Sequence, residues 1–165
     1  MSQKDGKQKS SSTLLIPSNN AKMQLSVINF TTISELRQKG ALKMTVQELY
    51  QSIDGDYDKA ISVLRMDKLI DKHIRKLTTN GVMERLIAAG ENMNSTELFE
   101  SSHAAKGVCA NLGLTKLSNA ASEIAEEFRP GNLRSMTDEE VKEKLGEIAE
   151  MYQKTADGIN KYTQS

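Results

Sequence analysis

Tryptophan is missing from this 165-residue chain, and only three Phe and four Tyr stand beside its aliphatic residues. Aromatic side chains carry much of the packed volume of β-sandwiches and barrels, so their scarcity turns the expectation toward packed helices. Cysteine occurs once, at Cys109, which rules out an internal disulfide and suits a reducing, cytoplasmic compartment. Proline occurs twice, at Pro17 and Pro130, leaving long stretches free to run as helix. The apolar run Leu14-Leu15-Ile16 ends at Pro17, far short of a signal-peptide core or a membrane span, so a soluble protein is expected. There is no excess of positive charge: 22 Lys and Arg balance 22 Asp and Glu, which argues against nucleic acid as a partner. With two histidines, no Gly-rich phosphate loop, no Cys or His pairs at metal-ligand spacing and no serine-hydrolase elbow, neither a bound metal nor a resident cofactor is expected.

The zero net charge is a cancellation. Residues 1–43 carry seven positive charges against two negative, or +5, and residues 44–165 carry fifteen against twenty, or −5. The first segment is rich in Lys, Gln, Ser, Asn and Thr, with short apolar islands at Leu14–Ile16 and Val27–Phe30, and reads as a flexible basic leader. The rest is one domain's worth of chain.

From Met44 onward apolar residues recur at helical spacing. Thr45 can cap a short helix bearing Val46, Leu49, Tyr50 and Ile53, which Asp54-Gly55-Asp56 would break. Asp54, Asp56 and Asp58 have the spacing of a calcium loop, but Lys59 stands where its glycine belongs, so a capping loop is the better reading. Tyr57, Ile61 and Leu64 run on into Met66, Ile70, Ile74 and Leu77, a long helix that Thr78-Thr79-Asn80-Gly81 stops or kinks. Val82, Leu86 and Ala89 continue to Gly90, and Ser95 or Thr96 can cap a helix with the stripe Leu98, Ser102, Ala105, Cys109 and Leu112. Leu117, Ala121, Ile124 and Phe128 form the next stripe, closed by Pro130-Gly131. Thr137 and Glu140 make a capping box for a last helix carrying Val141, Leu145, Ile148, Tyr152, Ile159 and Tyr162. The expected fold is all-α: an antiparallel four-helix bundle with short extra N-terminal helices packed across one end.

One constellation stands out, His103-Ala104-Ala105-Lys106-Gly107. At about 100° per residue from His103, Lys106 falls near −60°, Gly107 near +40° and Ala110 near −20°, while the apolar stripe centres roughly 120–150° away. His103 therefore faces water. Gly107 and Ala110 strip that face of bulk, although an interior glycine costs a helix about 1 kcal/mol relative to alanine. A neutral imidazole is a competent nucleophile near neutral pH, and Lys106 one turn away offers a charge to phosphate oxygens. Phe99, near −40° and one turn earlier, offers an aromatic docking contact beside Ala110, or else packs under a neighbouring helix. Glu100 and Asn111 flank the other side. His73 repeats the lysine spacing with Lys76 but has Leu77 in the glycine position, and reads as a surface or structural histidine.

Residues His103-Ala-Ala-Lys106-Gly107, followed by Asn111-Leu112-Gly113-Leu114 and Leu117, resemble the signature of the histidine-containing phosphotransfer (HPt) domain: H-x-x-K-G, an Asn-Leu-Gly helix end and a leucine-led next helix. The resemblance spans roughly residues 44–162. It implies a phosphocarrier of a multistep two-component phosphorelay, with His103 accepting a phosphoryl group from a receiver-domain aspartyl phosphate and passing it to another receiver. It further implies that Lys106 stabilises the phosphate, that Gly107 gives steric clearance and that magnesium is supplied by the receiver. Response-regulator receivers and a hybrid sensor kinase would be the partners of a monomeric bundle with no ATP-binding or autokinase motif. The family usually has a polar residue and a leucine where this chain has Ala104 and Ala105, which implies looser packing beneath the site. The alternative is a non-catalytic adaptor bundle that docks a receiver or another signalling partner through the same face.

Lys39-Gly40-Ala41 can be encoded by a purine-rich ribosome-binding sequence at a suitable distance before Met44. On that reading the leader is not native and translation starts at Met44. Intact-mass measurement of the endogenous protein then gives a species beginning at Met44, and a species retaining residues 1–43 overturns it.

Overall fold

The computed structural model describes residue 35 and residues 43–165. The other residues of the basic leader lie outside the described residues. Among the described residues the secondary structure is helical, with no strand.

Local capping sets where each helix begins. Thr45 and Glu48 form a capping box, the Thr45 hydroxyl accepting from the Glu48 N–H at 3.2 Å and the Glu48 carboxylate from the Thr45 N–H at 2.8 Å. This starts α1, Val46–Ser52, which buries Leu49 and Tyr50. The chain then turns through Asp54, at φ +53°, to Asp56, whose carboxylate caps α2, Tyr57–Leu64, by accepting from the Lys59 N–H at 2.9 Å.

The expected long helix over residues 57–77 is two helices. Arg65 adopts a left-handed φ of +66°, Met66 is extended, and α3 runs over Asp67–Leu77. The reason lies in the phase of the apolar residues. Leu64 and Ile70 are six positions apart, which on a continuous helix would turn their side chains about 120° away from each other. A break realigns the two stripes, and Met66, which belongs to the apolar series in the sequence, is exposed.

Gly81, at φ +70°, ends the turn after α3, and α4 covers Val82–Glu91. Gly90 lies inside α4, where an added Cβ would run into the Leu145 side chain. Asn94 caps α5, Ser95–Asn111, by accepting from the Glu97 N–H at 3.1 Å. The cap thus sits one or two residues before the expected Ser95 or Thr96; three consecutive capping-type residues leave that choice to tertiary packing. Gly113 (φ +65°) turns the chain into α6, Thr115–Glu127. Its carbonyl accepts from the Asp56 N–H at 2.9 Å, and a Cβ on it would collide with the Asp56 carbonyl oxygen. The Thr137–Glu140 capping box starts α7, Asp138–Gln164. No helix among the described residues is long and apolar enough to cross a membrane.

Residues 43–165 form one unit, in which α4 touches α5, α5 touches α6, α6 touches α7 and α7 returns to α4, a closed ring of neighbours. Helices α1 and α3 pack on α7, and α2 packs on α5. The core inside the ring takes Leu86 from α4, Leu98, Ala105 and Cys109 from α5, Ala121 and Ile124 from α6, and Val141 and Ile148 from α7. Two tyrosine hydroxyls tie the N-terminal helices to the ring, Tyr50 donating to the Leu112 carbonyl at 2.7 Å and Tyr162 to Asp71 at 2.5 Å, and a third, Tyr152, ties α7 to α4 by donating to Glu84 at 2.6 Å. Each satisfies a polar group that burial would otherwise strand.

The interface between α5 and α6 is the most extensive of any pair. Both helices bury small side chains, Ser102, Ala105 and Cys109 on one, Ser118, Ala121 and Ala125 on the other, and the Cys109 sulfur lies 3.9 Å from that of Met83 on α4. The buried Ser102 hydroxyl donates back to the Leu98 carbonyl at 2.5 Å. Burial pushes the Cys109 thiol up to about 12. At pH 8 a thiol-specific reagent should therefore label the folded protein at least about 100-fold more slowly than the urea-unfolded chain, because the thiolate is the reactive species and the sulfur is enclosed. Since Cys109 is the sole thiol, equal rates in the two states would show that this face of α5 is not buried.

Candidate functional site

Burial of the Leu98, Ser102, Ala105 and Cys109 stripe fixes the rotation of α5, and the opposite face is thereby turned outward. His103 is exposed near the middle of that face. Lys106 is half-exposed one turn on, Gly107 is exposed, and Ala110 is half-buried. Ala104 is exposed, whereas Ala105 is completely buried among the core residues. Phe99 is half-buried, packed against the core at one edge, with its ring centroid 5.8 Å from that of His103. It both packs and presents a ring to the site. Glu100 and Asn111 are exposed.

Gly107 supplies the most informative geometry. A Cβ built on it meets no atom within 4 Å. Glycine at Gly113 is demanded by the backbone around Asp56; at Gly107, as at Gly146 on α7, no described atom demands it. The helix thus accepts an entropic cost at a position where its own packing has no use for it.

Helix α6 contributes the second half of the site. Ser118 donates to the Lys106 carbonyl at 3.2 Å, pinning α6 against the backbone one turn beyond His103. Further along α6, Glu126 lies 4.0 Å from the Lys106 ammonium and takes a two-pronged contact from Arg129, at 2.8 Å from Nε and 2.6 Å from the terminal nitrogen. The Arg129 guanidinium, with help from the Lys106 and His103 charges, holds the Glu126 carboxyl below its usual value against a smaller opposing effect of desolvation. Arg129 also lies 5.9 Å over the Phe99 ring. The exposed face therefore carries a linked cluster of His103, Phe99, Lys106, Glu126 and Arg129, with the open helix surface of Gly107 beside His103.

Nothing in the sequence alone singles out Glu126 and Arg129. Their i, i+3 spacing is visible there, but their place beside Lys106 depends on how α6 lies along α5. His73 is elsewhere, exposed on α3, and Leu77, which takes the place of a glycine there, is fully buried. Among the described residues no group of three or more His, Cys, Asp and Glu converges as a metal site requires. Compared with known proteins, the chain matches no family model, no curated protein and no solved structure.

Because none of the described residues occupies the space over Gly107, Gly107→Ala should stabilise the fold, raising the unfolding free energy by about 0.5–1 kcal/mol in a denaturant titration. A loss of stability would show that the glycine serves internal packing instead.

Proposed function

We propose that this chain is a phosphocarrier of the HPt type, an antiparallel four-helix bundle of α4–α7 with α1–α3 as short N-terminal additions and residues 1–43 as a separate leader. The observation that carries this reading is the open space over Gly107 beside an exposed His103 and a neighbouring Lys106. A helix face cleared at the expense of helix propensity suits close approach of another macromolecule to the imidazole.

In the proposed reaction an imidazole nitrogen of His103 attacks the phosphorus of an aspartyl phosphate on a receiver domain. The new N–P bond forms as the O–P bond to the aspartate breaks, and the carboxylate leaves as an anion. Lys106 faces the phosphoryl oxygens, and Gly107 leaves them room. The reverse attack, by a carboxylate of a second receiver, breaks the N–P bond and regenerates the imidazole. Magnesium belongs to the receiver in both directions, and no cofactor resides in this chain. Phe99 and Ala110 border the docking surface. Response-regulator receivers and a hybrid sensor kinase are the partners, the protein is a cytoplasmic monomer, and it has no ATP-dependent activity of its own. The half-buried pose of Phe99, stacked near His103, makes it a wall of the site as well as a contact for the partner.

Incubation with a phosphorylated receiver tests the proposal. The wild-type chain should acquire acid-labile, base-stable phosphate, His103→Gln should acquire none, and His73→Gln should behave as wild type. Lys106→Ala should fold normally and transfer more slowly, by about tenfold, consistent with loss of one charge-assisted hydrogen bond. Label retained in His103→Gln would overturn the site, and receiver binding without any label would leave an adaptor in place of a carrier.

A further inference from the structure

Glu126 is an unexpected neighbour for a group meant to receive phosphate. Its carboxylate sits between two cations, 4.0 Å from Lys106 and doubly bonded to Arg129, on the helix that packs beside α5. Arg129 in turn lies over Phe99, the ring beside His103. Lys106 and Arg129 are the cations the site offers, and in the resting protein both point at the same carboxylate.

Resting on the reading of His103 as a phosphoryl acceptor, we infer that Glu126 sets the balance of the transfer: it holds Lys106 and Arg129 away from the phosphoryl group and so biases the chain toward giving phosphate up. When His103 carries phosphate, its oxygens and the Glu126 carboxylate compete for the same two cations. The carboxylate also repels the dianionic group across the site. Both effects raise the free energy of the phosphorylated state, so removing the charge should act in one direction only. Glu126 is a positioning residue in this scheme, acting through Lys106 and Arg129, and forms no bond to the transferred group.

The side chain is exposed, so its replacement leaves the core untouched. The full chain can be loaded with phosphoramidate, whose P–N bond breaks with loss of ammonia as the N–P bond to His103 forms, so no receiver is needed. Phosphorus NMR and acid-labile phosphate then follow hydrolysis. In parallel, the chain is equilibrated with a phosphorylated receiver domain, and phosphate is counted on each protein. In Glu126→Gln the phosphohistidine lifetime and the equilibrium share on His103 should each rise about three- to tenfold, the scale set by freeing a cation to bond the phosphoryl oxygens and removing a like-charge repulsion. Glu126→Asp, which keeps the charge, should return both toward wild type. At about 1 M salt, where the Debye length is about 3 Å, the difference should shrink. In Lys106→Ala the effect of Glu126→Gln should be reduced, because the two residues act on the same group. Equal lifetimes and partition in wild type and Glu126→Gln, with label present on His103, overturn the inference and leave the carrier reading intact. Shorter lifetimes in Glu126→Gln overturn it as well, since they show that the carboxylate supports the phosphate. Absence of label on wild-type His103 from both donors removes the carrier reading, and this inference with it.

Discussion

Everything on the exposed face depends on the rotational setting of α5, and that setting is fixed by its buried stripe, which has Leu98 and Leu112 at the ends and small side chains between them. Ser102 and Ala105 on α5 and Ser118, Ala121 and Ala125 on α6 are small and buried, and the Ser118 hydroxyl reaches the Lys106 carbonyl from one helix to the other, an approach that small side chains permit. Each of these residues contributes little apolar area. Their value lies in distance, since close approach brings the far end of α6, with Glu126 and Arg129, to the edge of the His103 site. Ala105, in a position where the HPt pattern usually has leucine, belongs to this arrangement: it is completely buried, and its small size suits two helices held near each other.

Most of the helical scheme is legible in the sequence because it rests on local rules. Thr45 caps its helix and the Thr137–Glu140 capping box forms as expected, and the stripes of α5, α6 and α7 are buried throughout. Local rules fall short where several residues satisfy them equally well or where two periodicities meet. Asn94 prevails over Ser95 and Thr96 as a cap, and the six-residue step from Leu64 to Ile70 breaks a helix that composition alone would continue. The site divides in the same way. His103, Lys106 and Gly107 share one helix, so winding the sequence at a helical pitch places them together. Glu126 and Arg129 lie at the end of a second helix, and their arrival beside Lys106 is a tertiary fact that no periodicity of α5 contains.

The charge distribution also changes meaning once located. Residues 44–165 carry a net −5, yet the face around His103 gathers Lys106 and Arg129 against Glu126. Lys106 and Arg129 thus place positive charge at short range within a unit whose own net charge is negative.

The junction of Gly113 with Asp56 bears on the order in which the molecule assembles. The helices of the α4–α7 ring are mostly joined to their neighbours by short connections, whereas the Asp56 N–H reaches Gly113 and the Tyr50 hydroxyl reaches Leu112 across some sixty residues of chain. Closing a long loop costs more entropy than closing a short one, and pairings remote in sequence slow folding. The α5–α6 hairpin, joined by a short turn, can therefore pack before α1 and α2 seal the C-terminal end of α5. The helix that carries His103 is thus shaped early by near neighbours, and its far end is secured last by a segment translated before it.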